Sequence, residues 1–261
     1  MPPSSRPPWR LEIYDELPST SDLVRTRAEA GEPEGLAVIA RRQTQGRGSR
    51  GRAWSTPAGN LAISILLRPK LAVRDAACMS LLAGLALAEA VTAILPAGPT
   101  LALKWPNDLM LNGEKLAGIL LDSHGDGQGR VAWLIPGIGV NLAYAPNLPD
   151  RVAACLADHM QAPAPEDFAP HLLDRLAHWS AIHAEAGFLP VRAAWLTHAQ
   201  PPGSPMTLKL GAEMLSGSFA GLSDDGSLLM AQNGAVRRFS TGEVLEDWAP
   251  PRPARGQAPG P

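Results

Sequence analysis

Cysteine is scarce in this chain of 261 residues: there are two, Cys78 and Cys155, far apart and in no CxxC pair. That excludes a disulfide-stapled framework and a cysteine zinc cluster, and it suits a reducing compartment. Charge of one sign is also lacking. The formal net charge is -2, so the molecule as a whole has no field that gathers nucleic acid. The six histidines show no metal spacing; His171, His178 and His183 fall in an amphipathic stretch and read as surface residues. No apolar run follows the amino terminus MPPSSRPPW, so no signal peptide is expected. The greasiest stretch, Ala76 to Leu95, is interrupted by Ser80, Glu89 and Thr92 and reads as a buried helix, because a Glu at membrane depth is costly. There is no internal repeat and no heptad pattern.

The 45% hydrophobic share is enough to bury a core, in one large domain or in one large and one small. Residues 1–8 and 249–261 are rich in Pro and Gly and read as disordered tails. The run AQPPGSP, Ala199 to Pro205, reads as a linker between a body over 9–199 and a small module over 205–247. In the body, LEIYDEL, GLAVIAR, LAISILLR, LALKW and VAWLIPGIGVNL read as strands. SDLVRTRAEAG reads as a helix with a hydroxyl N-cap and Gly31 as its stop, and residues 163–187 and 189–198 also read as helical. LMLNGEKLAGILLD reads as a hairpin, since Asn112-Gly113 tolerates the two positive φ angles of a type I′ turn. The short, closely spaced strands after the linker form a small β-barrel pattern.

Four segments carry candidate chemistry. RRQTQGRGSRGRAW, Arg41 to Trp54, holds five arginines, three glycines and no acid. Gly lets a backbone approach an anion, and Arg adds forked donors. Gly46, Gly48 and Gly51 spell GxGxxG, but AWSTPAGNL follows and leads into a strand. A dinucleotide fingerprint needs a helix there. By itself the segment is either a small-molecule anion loop or a solvated or RNA-binding basic arm. In KWPNDLMLNGEKLAGILLD, strand alternation puts Asp108, Met110, Lys115 and Ala117 on one hairpin face, with Asp108 diagonal to Lys115. That geometry alone is also met by an ordinary cross-strand ion pair. Asn141 in PGIGVNL is, alone, a turn-forming Asn at a strand end. Ser19 to Ser21 in PSTSD sit at a helix start, where hydroxyls cap and free N–H donors attract ligands.

In this order the four segments resemble the biotin–protein ligase family: Ser-Thr-Ser at 19–21, QTQGRGSRGRAW from Gln43, KWPNDL followed by KLAGIL, and GIGVN. The resemblance runs from about Leu11 to about Val244. It implies an α+β fold, a mixed sheet with helices like that of class II aminoacyl-tRNA synthetases. The run from Gly217, GSFAGLSDDGSLLM, with RRFSTGEV implies the family's SH3-like C-terminal barrel. It further implies that Ser19, Thr20, Ser21 and Gln43 line the pocket for the biotin ureido ring. Arg47, Gly48 and Ser49 then cover the valeryl chain and carboxylate, and Lys115 contacts the reacting carboxylate and phosphate. Arg50, Arg52, Asn107 and Asn141 serve the nucleotide. The family often has Asn where Ser21 stands and Arg where Ser49 stands. Some members carry a helix-turn-helix domain before the body, which here begins at about Trp9; DNA binding is therefore not expected.

The implied reaction joins the biotin carboxylate to the α-phosphate of ATP and then passes biotin to a lysine of a biotin carboxyl carrier protein, that of acetyl-CoA carboxylase or of a related biotin-dependent enzyme. Two anions meet in the first step, so Arg47, Arg52, Lys115 and a Mg²⁺ ion suit it, although no metal ligands are identified. A closing Gly-rich loop would shield the hydrolysable adenylate, with little to pack against until an anion arrives. Asp108 is the candidate to orient or deprotonate the incoming amine, so Lys115, Asp108 and Arg47 form the expected catalytic set. A cytoplasmic protein without membrane association, monomeric or weakly dimeric, is expected. Lipoate ligases and octanoyl transferases share the body, but lipoate has no ureido ring to explain the Ser/Thr/Gln set. The transferases need a nucleophilic Cys, and neither cysteine lies in a motif. A small RNA-binding protein is the reading from another class; it leaves KWPND and GIGVN without purpose.

Overall fold

The computed structural model describes residues 9–147 and 152–245. Both tails read from composition lie outside them. A seven-stranded mixed sheet forms the body. Its strands are β1 (Arg10–Leu17), β2 (Leu36–Gln43), β3 (Leu61–Ile65), β4 (Leu101–Lys104), β5 (Asp108–Leu111), β6 (Glu114–Gly125) and β7 (Val131–Val140), in the order β1-β2-β3-β7-β6-β5-β4. Strands β1 and β2 are parallel, joined through helix α1 (Thr20–Glu29); the other pairs are antiparallel.

The two faces of this sheet differ. One carries Ala37, Ile39, Leu61, Ile63, Ile65, Ile138 and Val140 into the main core. There α2 (Cys78–Thr92) packs between the sheet and α3 (Pro165–Ala186) and α4 (Phe188–Thr197). Helix α2 is apolar nearly all round, as a helix covered on every side must be. On the other face Leu36, Val38, Leu66 and Ile135 meet Val24 and Ala28 of α1. Helix α1 covers only one end of that face. Along the remainder the side chains shrink to Ala62, Ser64, Gly118, Gly137 and Gly139, which leaves room above the strands.

After α4 the chain is anchored rather than free: the Leu103 N–H donates to the His198 carbonyl at 2.8 Å, and Ala199 and Gln200 are buried. Strands β8 (Pro205–Leu210), β9 (Glu213–Leu222), β10 (Leu228–Gln232), β11 (Ala235–Phe239) and β12 (Glu243–Val244) then form a five-stranded antiparallel sheet in the order β11-β10-β9-β8-β12. The barrel pattern read from the sequence is not realised among the described residues. The sheet is open between β11 and β12, which lie at its two edges. Its inward residues Met206, Leu208, Leu228 and Met230 join the main core, and the Trp105 Nε1–H donates to the Gly226 carbonyl at 3.1 Å.

Candidate active site

The open half of the sheet face is the floor of a pocket of about 480 Å³. Gly118, Gly137 and Gly139 are small there for a steric reason. A Cβ on Gly137 would lie 2.7 Å from Ser21 Oγ, and one on Gly139 would lie 2.3 Å from the Trp54 ring.

One end of the pocket is built at the start of α1. Ser19 occupies the N-cap position, but its hydroxyl makes no capping bond, contrary to the expected hydroxyl N-cap. The Thr20 N–H instead donates to Gln43 Oε1 at 2.9 Å, and Thr20 Oγ1 reaches the same oxygen at 3.2 Å. Gln43 Nε2 donates to Thr56 Oγ1 at 3.1 Å, which fixes which way the amide faces. Ser64 Oγ lies 2.8 Å from Thr20 Oγ1 and 2.9 Å from Ser21 Oγ. The result is a buried, neutral, hydroxyl-rich end.

The Arg/Gly loop covers the pocket. Gly46 is required, since a Cβ there would meet the Trp54 carbonyl at 2.3 Å. The loop closes on itself through Gly48 N–H to the Arg52 carbonyl (2.7 Å) and Trp54 N–H to the Gly46 carbonyl (2.9 Å). Arg47, Gly48 and Ser49 line the pocket. The loop arginines, however, are not waiting unpaired. Arg47 bonds Asp22 at 2.6 Å, Arg52 bonds Glu243 at 2.8 Å, and Arg50 bonds Glu243 and the Gly242 carbonyl. Clustered like charges repel, and these carboxylates relieve the repulsion. Arg41 likewise pairs with Asp15 and Glu166, and Arg42 with Glu16.

The other end is the β5–β6 hairpin. Asn112 (φ 52°) and Gly113 (φ 87°) make the expected turn, and Met110 faces Lys115. The register then shifts by a bulge at Leu116. Asp108 pairs with Gly118 and Ala117 moves opposite Leu109, onto the face away from Asp108, which corrects the four-residue face read from strict alternation. Lys115 bends over Gly118, its Nζ 2.5 Å from Asp108 Oδ1 and 5.7 Å from the Trp54 ring centroid. The second oxygen of Asp108 faces Lys104 Nζ at 3.7 Å. The Asp108, Lys104 and Lys115 side chains are only 13%, 9% and 15% exposed, so two ammonium groups share one nearly buried carboxylate.

A second cavity of about 350 Å³ opens on the far side of Asp108; Arg50, Arg52, Lys104, Asn107, Asp108 and Glu243 are among its lining residues. Ser49 and Asn107 line both cavities. Asn141 lines neither: it is fully buried, its Nδ2 donating to the Ala154 carbonyl at 3.0 Å and its N–H to the Leu116 carbonyl at 2.9 Å. It holds the strand that carries Lys115. Trp54, Ser64, the three floor glycines and Lys104 belong to the site but were not singled out from the sequence. Gly137 and Gly139 recur at the strand period, and Ser64 is the polar residue of an otherwise apolar run; both were available signals.

Cys78 begins α2 away from this pocket, and burial pushes its thiol up to about 12. His183 faces it at 3.7 Å and is half-buried, not a surface residue as read from periodicity; burial lowers its pKa. Among the described residues no group of three His, Cys, Asp or Glu could hold a metal ion. Nor is any described helix long and apolar enough to cross a membrane.

Residues 15–141 match the model of the biotin/lipoate A/B protein ligase family. A biotin–[acetyl-CoA-carboxylase] ligase of Paracoccus denitrificans is 42% identical over 199 residues, 74% of this chain and 82% of that one. The structure resembles the biotin protein ligase of Aquifex aeolicus solved with biotin and ATP, with a TM-score of 0.76 and 26% identity over 90% of this chain and 97% of that one. It also resembles the Leishmania major biotin protein ligase solved with biotinyl-5-AMP, with a TM-score of 0.63 and 29% identity over 92% of this chain and 98% of that one.

Proposed function

From the premise that the chain belongs to the biotin/lipoate A/B protein ligase family, we infer that it is a biotin–[acetyl-CoA-carboxylase] ligase, which forms biotinyl-5′-AMP from biotin and ATP and transfers biotin to a lysine of a biotin carboxyl carrier protein. One observation carries the assignment of roles: a neutral hydroxyl-rich end and a Lys115–Asp108 end face each other across a floor of glycines. A urea ring is neutral and polar, and Ser19, Thr20, Ser21 and Gln43 suit it. The carboxylate of the same ligand would lie toward Lys115 and Arg47, and the phosphates toward Asn107, Arg50 and Arg52. Arg47, Arg50 and Arg52 would exchange protein carboxylates for ligand anions, so the loop needs no new charge to close.

In the first step Lys115 would lie beside the pentavalent phosphorus and offset its charge. In the second, a carrier lysine must arrive neutral, and Asp108 would orient it or accept its proton. A Mg²⁺ ion would enter on the triphosphate and neutralise part of its charge. Asp108 and Glu243 are carboxylates lining that cavity and would be its protein-side partners. We read the open five-stranded sheet as an SH3-like module, and the protein as cytoplasmic, monomeric or weakly dimeric, and not a DNA binder.

The alternatives lose ground on specific contacts. Neither cysteine lines the pocket, so an octanoyl transferase would have no nucleophile. All five arginines of the basic segment hold carboxylate partners, which removes the free arm an RNA-binding reading needs. The experiment is pyrophosphate release with ATP and Mg²⁺ in the presence of biotin or of lipoate. Release with biotin alone is expected; release with lipoate alone would overturn the assignment.

A further inference from the structure

Thr56 does not line the pocket, yet it holds a side chain that decides what one end of the pocket offers a ligand. That side chain is Gln43, and the chemistry of its neighbours settles which way the amide faces. The atom 2.9 Å from the Thr20 N–H must be the amide oxygen, because a backbone N–H can only donate. Oε1 thus supplies at the first turn of α1 the cap that the Ser19 hydroxyl does not. The oxygen is committed there, with Thr20 Oγ1 at 3.2 Å beside it. The amide nitrogen carries two protons. One goes to Thr56 Oγ1 at 3.1 Å. The other has no acceptor among the described residues, and Gln43 lines the pocket, so that proton is left for a ligand.

Thr56 is well placed to hold the nitrogen still. It is where the Arg/Gly loop returns to the sheet: the bridges Gln43–Thr56 and Arg47–Ala53 pair the two arms of the loop, and Thr56 is buried. Pro57 follows and favours extended backbone at Thr56. A β-branched side chain is also stiff at χ1. The hydroxyl is therefore fixed by pairing at the base of the loop, whatever the tip of the loop does. Without it the amide would keep its oxygen on the Thr20 N–H but rock about that single anchor.

On the reading that this pocket takes biotin, we propose that Thr56 is a positioning residue for biotin specificity: it locks the Gln43 amide so that the ligand's urea meets an N–H donor at a fixed place. The urea carbonyl oxygen is the acceptor that matches this donor. The urea N–H groups then fall to the hydroxyls of Thr20, Ser21 and Ser64, which accept as readily as they donate. A donor held from behind has no rotamer freedom to lose when the ligand arrives, and it disfavours a ring that presents a proton in the same place.

The test asks whether Thr56 acts through Gln43. Thr56→Val removes the hydroxyl and keeps the branched shape. Calorimetry should show biotin weakened by roughly 5- to 30-fold, the loss of one buried hydrogen bond. Desthiobiotin, which keeps the urea and lacks the ring sulfur, should lose the same factor. The KM for ATP at saturating biotin should change by less than about twofold. Thr56→Ser, which restores the hydroxyl, should recover most of the affinity. The decisive readout is the double variant: with Gln43→Ala already made, adding Thr56→Val should weaken biotin by less than about twofold more. Full additivity would overturn the proposal, because Thr56 would then act on packing or on the loop in its own right. Unchanged biotin affinity in Thr56→Val would overturn it, as would a loss that desthiobiotin does not share or an equal effect on ATP. Should Thr56→Val not fold, Thr56→Ala gives the same readouts. If the parent protein binds no biotin, the biotin reading itself has failed, an outcome distinct from these.

Discussion

Asp108→Asn replaces one oxygen by an amide and keeps the side-chain shape, so its effects are those of charge. The carboxylate lies 2.5 Å from Lys115 and 3.7 Å from Lys104. At an effective dielectric of about 20 these contacts amount to about 7 and about 4 kcal/mol of Coulomb energy before desolvation is subtracted. Removing one partner of a buried ion pair costs about 3–5 kcal/mol, because the remaining charge stays buried. The three side chains keep some exposure, 9–15%, so the low end applies and a loss of about 3 kcal/mol is expected. Urea unfolding at neutral pH measures it. Combining Asp108→Asn with Lys104→Met removes one of the two ammonium groups that face the new amide and should recover at least about 1 kcal/mol, a coupling that a double-mutant cycle reads directly. The kinetic arm is single-turnover: pyrophosphate release for the first step, and decay of preformed biotinyl-adenylate on adding carrier protein for the second. If Asp108 prepares the incoming amine, transfer should fall by roughly 100-fold and adenylation by roughly tenfold. A stable variant with its loss confined to adenylation would refute both arguments, leaving Asp108 as a tether for Lys115.

Other perturbations report on separate parts of the site. Gln43→Ala removes the acceptor of the Thr20 N–H and should weaken biotin binding by about 1–3 kcal/mol while sparing ATP; calorimetry showing the reverse would invert the division of the site. Gly139→Ala places a Cβ where the Trp54 ring lies. Trp54 is on a half-exposed loop, so the ring should move instead of the strand, at a cost of less than about 1 kcal/mol, while tryptic cleavage at Arg50 and Arg52 accelerates. Unchanged cleavage would mean that the ring does not seat the loop. Asp225 tests the second sheet: burial works against its charge, but hydrogen bonds from Ser223, Ser227 and Arg238 hold its carboxyl at about 2. A depressed carboxyl stabilises the fold above its unfolded value of about 3.9, and the contribution is lost as pH falls from there toward 2. With the side chain 40% exposed, Asp225→Asn should cost only about 1 kcal/mol at neutral pH, and the two melting curves should converge as pH falls through that window.

Local signals in the sequence translated well into local structure. The Asn112-Gly113 turn, the buried α2 and the strand runs of the large sheet follow from backbone freedom and apolar period. What alternation could not reveal was the bulge at Leu116, an extra residue with no marker of its own that moves Ala117 to the other face. The acids that hold the basic loop were equally hidden. Glu243 comes more than 190 residues after Arg50, and pairing at such separation is a property of the folded chain. Asn141 was placed at the nucleotide by the resemblance alone, and its side-chain atoms here face Ala154 and Asn60 inside the protein. Lys104 was named only as the start of KWPND, and its burial among elements far apart in sequence is a property of the folded chain.

The line of hydroxyls Thr20, Ser64 and Ser21 has two proton orders. If Thr20 donates to Gln43, Ser64 donates to Thr20 and Ser21 to Ser64, so Ser21 offers lone pairs to the pocket. If Thr20 donates to Ser64 and Ser64 to Ser21, the Ser21 proton turns outward. Rotating three O–H bonds thus reverses the polarity of the pocket wall without moving a heavy atom. A carbonyl oxygen and an imine N–H in the same place would both find a partner, and telling them apart falls to rigid groups such as the Gln43 amide. The wall behaves as a reversible wire: the bound molecule chooses its direction, and the choice costs a proton shift in place of a rearrangement.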